Sequence, residues 1–186
     1  MSKVIGFSGS PRKDANTDRL VRQVLAGAAE AGAETKFFHV AELGVQGCKS
    51  CYHCKTHLTC SIPDGMQALL AEVLSADAVV LGTPVYMGQM SGQLKIFVDR
   101  LLPVMNADFS TRLQKHPTMV LALTQGVPDL EEYGAYATST QEMFGFLGFT
   151  PGEVLVAGGT RAPADVEGQQ ELMARAKSVG AKLVRK

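Results

Sequence analysis

The sequence predicts an α/β protein, a three-layer, doubly wound sheet of five parallel strands in the order 2-1-3-4-5. Three observations predict it. Short apolar runs at 4–8, 77–82 and 118–123 have strand length, and the latter two are near-continuously apolar, as strands buried on both faces of a parallel sheet are. Segments with the 3.6-residue period fall between the strands, so five strands alternate with five helical segments. The loops after the first, third and fourth strands (8–17, 83–91 and 124–128) are the richest in Gly, Ser, Thr and Pro. In this strand order they lie side by side, where ligands bind beyond the carboxyl ends of the strands.

The elements follow in chain order. After the first strand, Leu20, Val21, Val24, Leu25 and Ala28 mark one face of a helix ending near Gly32. Residues 35–40 read as the second strand, with His39 a strand residue rather than a ligand. A cysteine-rich excursion occupies about 44–63. Met66, Leu69, Leu70, Val73 and Leu74 form the stripe of the next helix. Strand three at 77–82 leads through its loop to a helix with Leu94, Phe97, Val98, Leu101 and Leu102 on one face. The fourth strand, a helix over about 131–147, a last strand near 153–157 and a closing helix over 165–185 complete the pattern. With no repeat, linker or low-complexity tract, residues 1–186 are expected to form a single domain.

The first loop carries the strongest chemical signal. A strand breaks into Ser8-Gly9-Ser10-Pro11-Arg12 and runs through Asn16 and Thr17 into a helix. Unpaired N–H groups at a helix start, with roughly half a positive charge from the helix dipole, favour an anion. The hydroxyls of Ser8, Ser10 and Thr17, the Asn16 amide and the Arg12 cation suit the three oxygens of a terminal phosphate. Gly, Ser and Asn also serve ordinary turns and caps, but all five groups occurring together favour the phosphate. The loop lacks the third glycine of a dinucleotide fingerprint and the Gly-Lys-Ser/Thr ending of a triphosphate loop.

Composition limits the partners. Lys and Arg total 18, Asp and Glu total 18, and the zero formal charge argues against nucleic acid or an anionic membrane held by bulk charge. No apolar run approaches the ~20 residues of a membrane span. The start at Met1-Ser2-Lys3 leads into a strand without a secretory apolar region, so a cytoplasmic location is expected. Tryptophan is absent, which leaves Tyr86 as the aromatic wall best placed for a flat ligand ring.

All four cysteines, Cys48, Cys51, Cys54 and Cys60, fall in one C-x2-C-x2-C-x5-C run. Four thiolates are the ligand set of a [4Fe–4S] cluster, and compact C-x2-C-x2-C runs occur in bacterial ferredoxins. Unlike the ferredoxin run, Ser61 rather than Pro follows the fourth cysteine. A structural zinc site, a dithiol/disulfide pair, or a segment that binds nothing are the alternatives. His53 and His57 are expected to be exposed loop residues, since four cysteines already fill a site.

These motifs together resemble the flavodoxin-like NADPH-dependent FMN reductases, and within them the iron–sulfur flavoproteins. The resemblance covers most of the chain. It rests on Gly9-Ser10-Pro11-Arg12-Lys13 with Asn16-Thr17, on Thr83-Pro84-Val85-Tyr86-Met87-Gly88, on Leu94-Lys95 through Asp99-Arg100, and on the cysteine run before Asp64. It implies a flavodoxin-like fold in which Ser8, Ser10, Arg12, Asn16 and Thr17 grip the FMN phosphate. Pro84, Val85, Tyr86, Met87 and Gly88 would line the ring and ribityl chain, and Thr124, Gln125 and Gly126 would close the other side. The flavin is the redox centre, and no protein group is assigned a catalytic role. Asp99 and Arg100 read as a helix-surface ion pair or a subunit contact. The implied activity is electron transfer from NAD(P)H or reduced ferredoxin to a small acceptor, in a homodimer or homotetramer. The rivals are a flavin-only NAD(P)H:quinone, azo-compound or FMN reductase, an electron carrier without turnover, and a phosphate-ligand binding domain.

Overall fold

The computed structural model describes residues 1–184, and Arg185, the expected end of the closing helix, lies outside them. Strands β1 (Lys3–Ser8), β2 (Glu34–His39), β3 (Ala78–Tyr86), β5 (Thr118–Thr124) and β6 (Thr150–Ala157) form a parallel sheet in the order β2-β1-β3-β5-β6. Counted without the two-residue strand β4 (Gln89–Met90), this is the expected 2-1-3-4-5 order. β4 pairs antiparallel with the end of β3.

Among the described residues, six α-helices accompany the sheet: α1 (Asn16–Glu30), the single turn α2 (His53–Thr56), α3 (Met66–Ser75), α4 (Gly92–Asp99), α5 (Gly134–Phe146) and α6 (Gln170–Lys182). Strand side chains alternate between two cores with the period of two. Ile5, Phe7, Val79, Leu81, Leu121 and Leu123 face α3, α4 and α5. Val4, Ala78, Val80, Val120, Ala122 and Leu155 face α1 and α6. Close packing of α1 on α6 needs glycine at the crossing. A Cβ on Gly27 would stand 1.9 Å from the Lys177 carbonyl oxygen, and one on Gly180 1.8 Å from that of Val24.

Two expectations are corrected. The third strand does not stop at Gly82. It continues to Tyr86, in register with β5 as far as the Pro84–Thr124 pair, then turns back through Met87 and Gly88, both at positive φ (50° and 78°). Pro84 reads locally as a strand stopper, and tertiary pairing overrides it. The expected helix over 131–147 begins at Gly134, because Asp129 and Glu131 are spent in a turn.

The outer edge of β6 is covered by side chains. Gln141 Nε2 donates to the Gly152 carbonyl (2.7 Å), Gln169 Nε2 to that of Gly158 (2.8 Å), and Arg175 Nη2 to that of Val154 (3.4 Å). Such covering blocks edge-to-edge strand pairing. Among the described residues, no helix is long and apolar enough to cross a membrane.

Candidate functional site

A cleft of about 300 Å³ opens beyond the carboxyl ends of β1, β3 and β5. Of the expected residues, Ser10, Arg12, Asn16, Thr17, Pro84, Val85, Tyr86, Thr124, Gln125 and Gly126 line it. Ala15, Thr160 and Arg161 line it as well and were not foreseen. The last two come from the loop after β6, whose glycines gave no motif to read.

The expected first-loop groups divide into cleft wall and scaffold. Ser8 is fully buried, and its hydroxyl donates to Asp18 Oδ1 at 2.5 Å, so it is not part of the wall. Asp18 Oδ2 accepts the Asp14 N–H at 2.8 Å, where Asp14 turns at a positive φ of 50°. This carboxylate therefore shapes the loop from beneath, a role with no sequence signature. The Asn16 amide is also engaged. Nδ2 donates to the Ala162 carbonyl (2.7 Å) and Oδ1 accepts the Val166 N–H (3.0 Å), which ties the loop after β6 to α1. Ser10 Oγ holds the backbone of Arg12 at both polar groups, at 2.9 and 3.0 Å. Met87, fully exposed, and Gly88 lie in the hairpin turn outside the cleft. Tyr86, half exposed, stands at its mouth.

The site keeps unspent donors and an unspent acceptor. The N-cap position of α1 is Ala15, which has no side chain to cap the first turn, so that turn's N–H groups are open to an anion. Arg12 and Arg161 both line the cleft, and Arg12 Nη1 donates to the Arg161 carbonyl at 3.3 Å. Gln125 is buried in the wall, and its Oε1 has no hydrogen-bond partner. An uncapped helix start, two cations and an orphaned acceptor fit a phosphorylated ligand with a polar, hydrogen-bonding body. A larger cavity of about 960 Å³ lies along β6 between α5 and α6. Its one arginine, Arg175, is already paired with Glu153 at 2.5 Å, so it offers no comparable anion site.

Helix α4 links the cleft to the cysteine segment. At its start, Ser91 Oγ donates to the Gly9 carbonyl (2.6 Å) and accepts the Leu94 N–H (3.2 Å). Arg100 follows its last residue. An eight-residue helix spans about 12 Å, so α4 fixes the separation of the two regions.

All four cysteines are free thiols and line one small cavity with Asp99, Arg100 and Pro103. Ser50 and Tyr52, at φ of 51° and 55°, turn the chain between the first three. Cys51 accepts the His53 N–H and lies 3.2 Å from Ser61 Oγ; these bonds, the Ser61 one foremost, lower its pKa. Burial raises that of Cys54. The donor set fits a four-thiolate centre. Among the described residues, however, no three His, Cys, Asp or Glu groups stand close enough to hold a metal ion. His53 is only half-exposed and belongs to α2, where it stacks on the exposed His57 with ring centroids 3.8 Å apart.

Arg100 is not a surface residue, which corrects the sequence reading. Only 1% of its side chain is exposed, and both terminal nitrogens meet the Asp64 carboxylate at 2.9 Å. Asp99 instead pairs with Lys95 at 2.6 Å on the exposed face. Burial alone would raise the Asp64 pKa, but Arg100 and the N–H groups of Gln46 and Met66 outweigh it and lower the pKa to about 2. Burial likewise opposes the Arg100 charge, and Asp64 and Cys60 overcome it, raising its pKa.

The family model for NADPH-dependent FMN reductases matches residues 2–148. An iron–sulfur flavoprotein of Methanocaldococcus jannaschii is 44% identical over 102 residues, which are 55% of this chain and 53% of that protein. The chain thus spans about half the length of that relative. An iron–sulfur flavoprotein of Archaeoglobus fulgidus is 29% identical over 160 residues, 82% of this chain and 71% of its own. The solved NAD(P)H:quinone oxidoreductase of Methanothermobacter marburgensis aligns over 100% of this chain and 98% of its own, with a TM-score of 0.76 at 18% identity. That last likeness is one of fold.

Proposed function

The chain belongs to the NADPH-dependent FMN reductase family, in the branch of the iron–sulfur flavoproteins, and from that premise we propose that it is an FMN-dependent oxidoreductase. It would pass electrons from NAD(P)H or a reduced carrier of ferredoxin type to a small acceptor. The observation that carries this reading is the cleft at the strand ends, where an uncapped helix start and two arginine residues meet the loops after β3 and β5.

In this reading the FMN phosphate is held by Ser10, Arg12, Thr17, Arg161 and the first-turn N–H groups of α1. The ring and ribityl chain lie against Pro84, Val85, Tyr86, Thr124, Gln125 and Gly126, with Met87 and Gly88 at the open end. Bound FMN supplies electron exchange in one- or two-electron steps. The chain's part is to bind, orient and aim backbone N–H donors where negative charge develops. The four cysteines would hold a [4Fe–4S] centre, which supplies one-electron exchange.

A second reading, a flavin-only NAD(P)H:quinone or azo-compound reductase, is favoured by one observation, the absence of any three thiols within ligating reach among the described residues. Purification without oxygen followed by a visible spectrum and iron analysis separates the two. Flavin bands with a broad shoulder that bleaches with dithionite, and about four irons per chain, support the first. Flavin bands alone support the second. A colourless protein that takes up no FMN on titration overturns both.

A further inference from the structure

The guanidinium of Arg100 has one satisfied edge and one free edge. Nη1 donates to Asp64 Oδ2 and to the Gln46 carbonyl (2.9 and 2.6 Å), and Nη2 donates to Asp64 Oδ1 (2.9 Å). Of the five guanidinium hydrogens, these bonds leave Nε–H and one on Nη2, which share an edge of the planar group. Nε is buried and has no partner. An arginine donor buried to this depth without an acceptor is costly, and such orphans call for an explanation. Here the side chain lines the cavity of the four thiols, and Cys60 is among the groups that hold its pKa up.

We propose that Arg100 is a positioning residue for the cysteine site, whose free Nε–Nη2 edge donates to the Cys60 sulfur and offsets part of the negative charge of four thiolates. Asp64 aims it. The carboxylate is itself pinned by the N–H groups of Gln46 (2.9 Å) and Met66 (3.0 Å), so the guanidinium plane has little freedom to turn. The inference rests on the cluster reading of the four thiols. Hydrogen bonds to cluster sulfurs and nearby charge set both metal retention and reduction potential. A cation beside the site favours the more negative, reduced state.

The test uses the full chain with its cluster loaded anaerobically, comparing wild type, Arg100→Lys and Asp64→Asn. Lysine keeps a cation for Asp64 but lacks the second edge. Arg100→Lys is expected to retain iron about tenfold less well against a chelator and to shift the cluster midpoint to more negative values. Asp64→Asn leaves the arginine charge uncompensated and is expected to shift it to more positive values. A merely structural role gives no such opposition of sign. Circular dichroism and flavin content monitor folding, and if Arg100→Lys does not fold, the direction of the Asp64→Asn shift decides. Unchanged potentials and iron retention, with about four irons in every form, overturn the role of Arg100 and leave the cluster reading standing. A wild-type chain that takes up no iron overturns the cluster reading first, and the proposal with it.

Discussion

The hydroxyls of Thr17 and Thr124 lie 2.7 Å apart, both buried, and join the first turn of α1 to the last residue of β5 across 107 residues of sequence. That single hydrogen bond sets the spacing of two of the loops that wall the cleft. Replacing Thr124 by Val keeps the volume and removes the bond, at an expected cost of about 1 kcal/mol. Urea denaturation should show that loss, and FMN affinity, followed by quenching of flavin fluorescence, should fall roughly fivefold. An unchanged affinity would mean that the loops are spaced by something else.

Arg12 and Arg161 stand on one rim, although 149 residues separate them. If they serve the phosphate, each change to Ala should weaken FMN binding about tenfold, the scale of an exposed charge-assisted hydrogen bond. Riboflavin, which lacks the phosphate, should bind all three forms equally. The FMN difference should also shrink as salt is raised. Equal losses for FMN and riboflavin would remove the phosphate from this corner.

The sequence shows what is local and hides what is distant. Strand order, helix faces and the three loops follow from periodicity and turn chemistry, which act within a few residues. Arg161 escapes notice because its loop is adjacent to the loop after β1 only after β6 joins β5. Ser8 and Asn16 are legible as polar groups of the loop after β1, but their partners, Asp18 and residues 162 and 166, can be found only in three dimensions. Arg100 reads as a surface residue because it follows an exposed Asp99 on a helix, and its burial depends on a carboxylate 36 residues earlier.

The Asp64–Arg100 pair also makes a pH prediction. The folded pKa of Asp64, about 2, lies below its ordinary 3.8. A depressed carboxylate stabilises the fold fully above its unfolded pKa, and the contribution disappears as pH falls through the folded value. The size is on the order of 2 kcal/mol. Wild-type stability should therefore drop between about pH 4 and pH 2 more steeply than that of Asp64→Asn, which has no such group to titrate. Parallel acid-denaturation curves for the two proteins would contradict the assignment.

Arg112 fastens the cysteine segment to the body. Its Nη1 donates to the carbonyls of Cys54 (3.0 Å) and Pro103 (2.9 Å), and its Nε to Asn106 Oδ1 (2.8 Å). Cys54 belongs to α2, a single turn whose last carbonyls have no partners of their own, and a cation there also complements the helix dipole. So short a helix does not persist alone, and its order must come from contacts such as these. Replacing Arg112 by Met keeps much of the stem packing and removes every donor. The half-buried site limits the global cost to about 1–2 kcal/mol. The local effect should be larger: amide exchange and proteolytic nicking confined to residues 44–63 should accelerate at least tenfold, because a segment held by few contacts opens on its own. FMN affinity should stay at the wild-type value, since the cleft residues make none of these bonds. Exchange that rises equally throughout the sheet would show instead that the segment and the core open as one unit.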